Sequence, residues 1–399
     1  MATTASSADV RRPNAAWVVP LCVAIALLDG FDTQVIGPAA PAIARRLALA
    51  PQSLGPIFSA SQLGFLIGAI LFGTLGDRFG RKRVLIGATG LFAAATLATA
   101  FSGSLPTLLA CRILAGLGLG GASPNFVSLV SEFTAPQHRA RTVTMLWAAV
   151  PLGGMLGSFA SAWLLPTVGW QAIFALGAAL PIPVLLAMLL AMPESVEAAE
   201  ANGVPVGELF RGDRGPVTAW LWLASFMTWT TLVVTAFWMP SLLQRAGWTS
   251  SGAATMLASN NAGGVVGTLL IGAAVGRVTA GRALQYALLG AAVLTVVMGL
   301  AVAHGPAFAV AAFATGFFTS AAGGAVLAVS AALYVPELRA SAVGWALGVG
   351  RTGTILGPIV VGLLVSRGYG ALPVFTTIAM LALVGAGAAR MLRRRAALN

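Results

Sequence analysis

The chain has 399 residues, of which 58% are hydrophobic and only 9% charged, with a formal net charge of +12 at pH 7. An ordinary soluble domain is roughly 25% charged, and no water-soluble fold of this length would hide so much apolar surface. The base is scattered in short segments between apolar runs, which excludes a nucleic-acid face and points to the membrane.

Apolar stretches close to the ~20 residues that an α-helix needs to cross the hydrocarbon core are predicted at 17–39, 52–75, 84–102, 106–131, 141–165 and 170–192. Six more are predicted at 217–240, 252–275, 283–303, 306–333, 341–365 and 370–389. Turn formers such as Pro51, Pro106, Pro136, Gly169, Pro216, Gly305, Pro336 and Gly368 divide them. About a dozen polar residues with Arg11 and Arg12 precede the first span. That span is too long for a signal-peptide core and carries two aspartates, so it is expected to be retained. Cys22 and Cys111 lie inside spans and imply no disulfide framework.

Lys and Arg alternate by loop. One side collects Arg11 and Arg12, the group Arg78, Arg81, Lys82 and Arg83, then Arg139, Arg141, Arg211, Arg214, Arg277, Arg282, Arg339 and the tail from Arg390 to Arg395. The other has Arg45, Arg46, Arg245 and Arg367. Short basic loops stay cytoplasmic, so both termini are expected in the cytosol of a bacterial inner-membrane protein, with lipid as its surrounding partner.

The chain repeats itself. Phe133-Thr-Ala-Pro136-Gln-His-Arg139-Ala140 returns as Leu333-Tyr-Val-Pro336-Glu-Leu-Arg339-Ala340, and Gly153 and Gly157 match Gly353 and Gly357, all at an offset of 200. Gly73, Arg78 and Arg83 match Gly272, Arg277 and Arg282 at an offset of 199. The expected fold is an all-α membrane protein of twelve transmembrane helices in two pseudo-symmetric six-helix bundles, residues 1–192 and 217–399, joined by a cytosolic linker at 193–216. In repeat transporters of this kind the substrate site lies near midplane between the halves.

Four charged residues fall inside spans: Asp29 and Asp32 in the first, Arg112 in the fourth and Arg351 in the eleventh. Each costs at least ~2.5–3.5 kcal/mol at the bilayer centre, so all should face a cavity or one another. Asp29 and Asp32 are three apart and share a helix face. Asp32 lies ~9 Å below the outer end of its span and Arg112 at a similar depth, so the two can meet. Two aspartates against two arginines are neutral. An added anion needs a proton with it, and one of the aspartates is the expected carrier. Arginine suits a carboxylate because its planar fork binds both oxygens. Asn125, Gln62, Asn260 and Asn261 are expected to hydrogen-bond a ligand, and Trp229, Trp238, Phe317 and Phe318 to stack on a ring.

The segment Gly73-Thr-Leu-Gly-Asp77-Arg78-Phe-Gly80-Arg81-Lys82-Arg83 resembles the signature loop between the second and third helices of the major facilitator superfamily. Asp29-Gly30-Phe31-Asp32, the run from Arg112 through Gly116, Gly118, Gly120, Gly121, Pro124 and Asn125 to Glu132, and Gly350-Arg351-Thr-Gly353 with Gly357-Pro358 narrow this. Together they resemble the aromatic acid:proton symporter family. The resemblance implies a monomeric, non-enzymatic carrier of a small aromatic carboxylate that uses protons and no other cofactor. It also implies a cytoplasmic gate of Asp77, Arg78, Arg81, Glu132 and Arg139 in one half and Glu337 and Arg339 in the other, with Asp77 touching the start of the eleventh span near Arg339. Gly276 stands where Asp77 would recur, so only the first copy keeps a charged gate. Transport of another organic anion or metabolite, or proton-coupled efflux, are the competing readings. An intramembrane aspartyl protease is excluded, because its two aspartates must face each other from different helices.

Overall fold

A computed structural model describes residues 15–194, 205–212, 214–274 and 279–396. The expectations at Arg11, Arg12, Gly276 and Arg277, and linker residues 195–204 and 213, lie outside the described residues.

The amino-terminal half holds α1 (Val18–Arg46), α2 (Leu54–Phe79), α3 (Arg81–Ala100), α4 (Leu105–Glu132), α5 (Pro136–Thr167), α6 (Trp170–Ala179) and α7 (Pro181–Ala191). The other half holds α8 (Arg214–Arg245), α9 (Ser250–Ala274), α10 (Ala280–Leu300), α11 (Gly305–Ala332), α12 (Pro336–Ser366) and α13 (Ala371–Ala396). The sixth span is α6 plus α7. Pro181 lacks the N–H to continue the ladder, but Leu180 between them keeps helical dihedrals, so the rod holds its direction. Twelve crossings result, and both described chain ends lie on one face.

Eleven of these crossings are long and apolar enough to span a membrane by length and composition alone. The twelfth, α9, falls short because Ser259, Asn260 and Asn261 sit in its middle. It is nonetheless 25 residues long and packed between α5 and α11. The helices overrun their predicted ends: α1 continues through Pro38 and Pro41 to Arg46, and α8 starts at Arg214, inside the predicted linker.

Lipid supplies no hydrophobic drive between helices, so close backbone approach does the packing. A Cβ on Gly64 or Gly68 of α2 would stand 2.0 or 2.1 Å from the carbonyl oxygens of Ile113 and Leu117, and one on Gly116 or Gly120 of α4 would stand 2.0 Å from those of Ser61 and Phe65. This reciprocal seam brings Ser61 beside Arg112. Between the halves, α1 meets α8, α2 meets α12 and α5 meets α9.

On the face opposite the chain ends the halves are sealed. Ser59 Oγ donates to the Ile355 carbonyl at 2.6 Å. A Cβ on Gly55 would stand 2.9 Å from the Pro358 carbonyl, and Phe58 of α2 packs on Phe237 and Trp238 of α8 at centroid distances of 5.5 and 5.2 Å.

Candidate functional site

A cavity of about 360 Å³ lies between the halves below this seal, within the usual range for small-molecule sites. Its walls are mostly apolar and run from Asp29 and Arg351 toward Val143, Thr144, Gly272 and Ala328 near the chain-end face. Of the predicted site residues, Asp29, Gln62, Trp229, Asn260, Asn261 and Arg351 line it.

Arg351 enters from α12 with its guanidinium carbon 3.9 Å from the Phe65 ring centre and 5.3 Å from that of Trp229. Such rings attract a cation by their quadrupole, so the head is fixed in direction while its N–H groups remain largely unspent. One of them, on Nη1, reaches Gln62 Oε1 at 3.4 Å, and Thr354 donates to the same oxygen at 3.2 Å. Asp29 faces the cavity from α1, accepts from Thr33 Oγ1 at 3.2 Å, and is attracted by the charge of Arg351.

Arg112 and Asp32 form a second, separate pair. Both are wholly buried, with Nη1 to Oδ1 at 3.1 Å and Nη2 to Oδ2 at 2.5 Å. Arg112 Nε donates to Ser61 Oγ at 2.9 Å, and Thr96 Oγ1 donates to Asp32 Oδ1 at 2.9 Å. Asp29 and Asp32 therefore use different partners although they are one turn apart. Arg112 is expected from the sequence to bind a ligand; in this structure its fork is taken by Asp32, and it does not line the cavity.

Three further expectations shift. Asn125 Nδ2 donates to the carbonyls of Phe72 and Gly121 at 3.1 and 2.8 Å, tying α4 to α2. Trp238 is wholly buried in the aromatic seal. Phe317 stacks edge-on with Phe318 at 5.1 Å, outside the cavity.

The signature loop is paired within its own half. Arg81 lies 3.6 Å from Asp77 and 3.6 Å from Glu132. Arg78 covers the Phe79 ring at 5.3 Å. Arg139 is exposed and donates from Nε to the Thr134 carbonyl. Glu337 and Arg339 are exposed at the start of α12. In this conformation Asp77 is held by Arg81, one turn away, and among the described residues no ion pair joins it to the Arg339 segment.

The sequence profile of the Major Facilitator Superfamily matches residues 22–308. The chain belongs to that superfamily. It is 33% identical over 357 residues to the 3-(3-hydroxy-phenyl)propionate transporter of Escherichia coli (strain K12), covering 88% of this chain and 87% of that one. It is 32% identical to the gallate transporter of Pseudomonas putida, covering 95% and 94%. The resemblance to aromatic acid symporters carried by the Asp29-Gly30-Phe31-Asp32 segment agrees with these relatives. The major facilitator fold is matched by a D-xylose-proton symporter, with a TM-score of 0.81 over 94% of this chain and 96% of that one at 19% identity. This major facilitator protein is thus a multi-pass membrane transporter.

Sequence reasoning missed Gln34, Phe65, Trp147 and Ser320. Gln34 and Trp147 line the major facilitator cavity, and Gln34 Oε1 is buried without a hydrogen-bond partner among the described residues. A census of amides as well as charges inside spans would have found Gln34, two residues after Asp32. Phe65, under the Arg351 guanidinium, carried no sequence signal apart from its aromatic character.

Proposed function

We propose that this protein carries a small aromatic carboxylate inward across the bacterial inner membrane together with a proton. The observation that carries the reading is the cavity in which Asp29 of one half and Arg351 of the other share the walls, with Arg351 held between two aromatic rings and most of its donors unspent. A carboxylate that takes the Arg351 fork gains charge-assisted, directional bonds, and Trp229 offers a ring in the cavity wall beside it. The two relatives are transporters of 3-(3-hydroxy-phenyl)propionate and of gallate, both aromatic carboxylates.

Charge balance supplies the coupling. With Asp29 and Arg351 ionised the cavity is neutral, and an entering carboxylate leaves it at net −1. A proton on Asp29 restores neutrality and leaves the charge of Arg351 to the substrate. The Lys and Arg distribution supports a cytosolic side for both chain ends, and on that reading the cavity runs toward the cytoplasm.

Uptake of labelled aromatic acids into proteoliposomes under an imposed pH gradient tests this. Accumulation of a benzoate-like acid that collapses with an uncoupler is the expected result. Accumulation indifferent to the uncoupler removes the proton from the mechanism, and better competition by a dicarboxylate or sugar acid removes the aromatic class.

A further inference from the structure

The two halves treat one position in opposite ways. In the amino-terminal half Arg83, in the first turn of α3, pairs at 3.4 Å with Glu194, just past the end of α7. The repeat offset of 199 carries Arg83 to Arg282, in the first turn of α10, and Glu194 to Arg393, in the last turn of α13. The fold brings these together as it does the first pair. Arg282, Arg393 and Arg394 line a groove of about 470 Å³ formed by the start of α10 and the ends of α11 and α13. Where one half has an ion pair, the other has three guanidinium groups and, among the described residues, no carboxylate in the lining.

The second half has little of its own with which to neutralise them. From residue 214 to 399 there are eleven arginines and one acid, Glu337, which stands exposed at the start of α12. Arg393 donates from Nη1 to Gln285 Oε1 at 2.7 Å, a neutral partner that orients its fork without cancelling its charge. Its stem is packed over Gly281, where a Cβ would stand 2.8 Å from Arg393 Cγ.

The surroundings favour one class of anion. Beyond the groove, α10 exposes Val293, Val297 and Leu300, and α13 exposes Met380, Leu383 and Val384, a surface suited to acyl chains. Tyr286, one turn beyond Arg282, is exposed at the level where aromatic rings meet headgroups. The groove floor is apolar, with Val329, Leu333 and Leu392. A cationic mouth over an apolar floor at the end of a lipid-facing helix pair fits a phosphodiester with attached chains, and basic pockets between transmembrane helices recognise such headgroups.

We propose that this groove binds the phosphate of an anionic phospholipid through Arg282, Arg393 and Arg394, the lipid supplying in the second half the counter-charge that Glu194 supplies in the first. The test uses the full-length protein in neutral detergent, followed by thermal unfolding and native mass spectrometry with added phosphatidylglycerol, phosphatidylcholine or inorganic phosphate. Phosphatidylglycerol should raise the melting temperature and remain bound one to one, and the other two should do neither. Arg282→Gln combined with Arg394→Gln should weaken phosphatidylglycerol binding at least tenfold. Arg393→Glu gives the second half the charge pairing of the first, so this variant should melt normally without lipid and no longer respond to it. Unchanged phosphatidylglycerol binding in Arg393→Glu overturns the site. Equal protection by inorganic phosphate or by phosphatidylcholine overturns the anionic-lipid assignment.

Discussion

Replacing Arg351 by Gln should separate ligand recognition from folding. The side chain lines the cavity, and its polar partner there is Gln62 Oε1 at 3.4 Å, a long bond to a neutral acceptor. Little native hydrogen bonding is lost when the guanidinium is removed, and most of its donors are available to a ligand. Hydrogen bonds to a charged group contribute about 1.5–3 kcal/mol net. At about 1.4 kcal/mol per decade, Arg351→Gln should raise the Kd for an aromatic carboxylate roughly ten- to a hundredfold. Arg351→Lys keeps the charge but loses the planar fork and its stacking on Phe65 and Trp229, so it should fall between parent and Gln variant. Equilibrium binding of a radiolabelled benzoate-like acid to purified protein reads the effect, with thermal unfolding as the control for folding. If Arg351→Gln binds within twofold of the parent, while a folded Arg112→Gln does not bind at all, the assignment of the two arginines is reversed.

Three other outcomes follow from the same geometry. Asp29→Asn should abolish accumulation driven by a pH gradient while sparing substrate exchange across the membrane, and accumulation equal to the parent's would dismiss Asp29 as the proton carrier. Asp32→Asn leaves Arg112 buried without its counter-ion, which typically costs about 3–5 kcal/mol; a melting temperature unchanged from the parent would contradict the role of that pair in holding α1 to α4. Gly30→Ala places a Cβ 1.8 Å from the Val150 carbonyl, so α1 and α5 must separate, and yield and melting temperature should fall by more than the ~1–3 kcal/mol of ordinary overpacking. Normal behaviour of that variant would mean the α1–α5 contact is looser than described.

Crossings, repeat and the buried charges were legible because lipid punishes each departure from apolar sequence, so every exception inside a span stands out. Asp32 and Arg112 could be paired from depth alone, since an α-helix rises uniformly and both groups lie close to the same level. The helix ends were less legible: the first span is read as ending at residue 39, yet α1 passes through Pro38 and Pro41 to Arg46. Aromatic roles were least legible. Trp229 and Trp238 occupy the same helix at a spacing of nine residues, and composition does not tell which faces a cavity and which a seal. That depends on the approach of Phe58 from α2, a contact between residues 180 positions apart. Arg112 and Arg351 were also equivalent as sequence. They differ in whether a carboxylate from their own half reaches the fork.

That difference decides which pair can take part in coupling. In a carrier whose halves rock against each other, distances inside a half are preserved and distances across the interface change. Asp32 and Arg112 sit on α1 and α4, together with Thr96 of α3 and Ser61 of α2, all in the amino-terminal half. Their geometry is carried along unchanged, so a proton or substrate cannot read the conformation there. Asp29 and Arg351 belong to α1 and α12, in different halves, and line the cavity between them. Rocking must alter their separation, and with it the cost of leaving either charge unmatched. In the proposed cycle the proton therefore acts at Asp29 and the carboxylate at Arg351, while the neighbouring pair keeps α1 fixed in its half so that the movement of one half against the other is felt at Asp29.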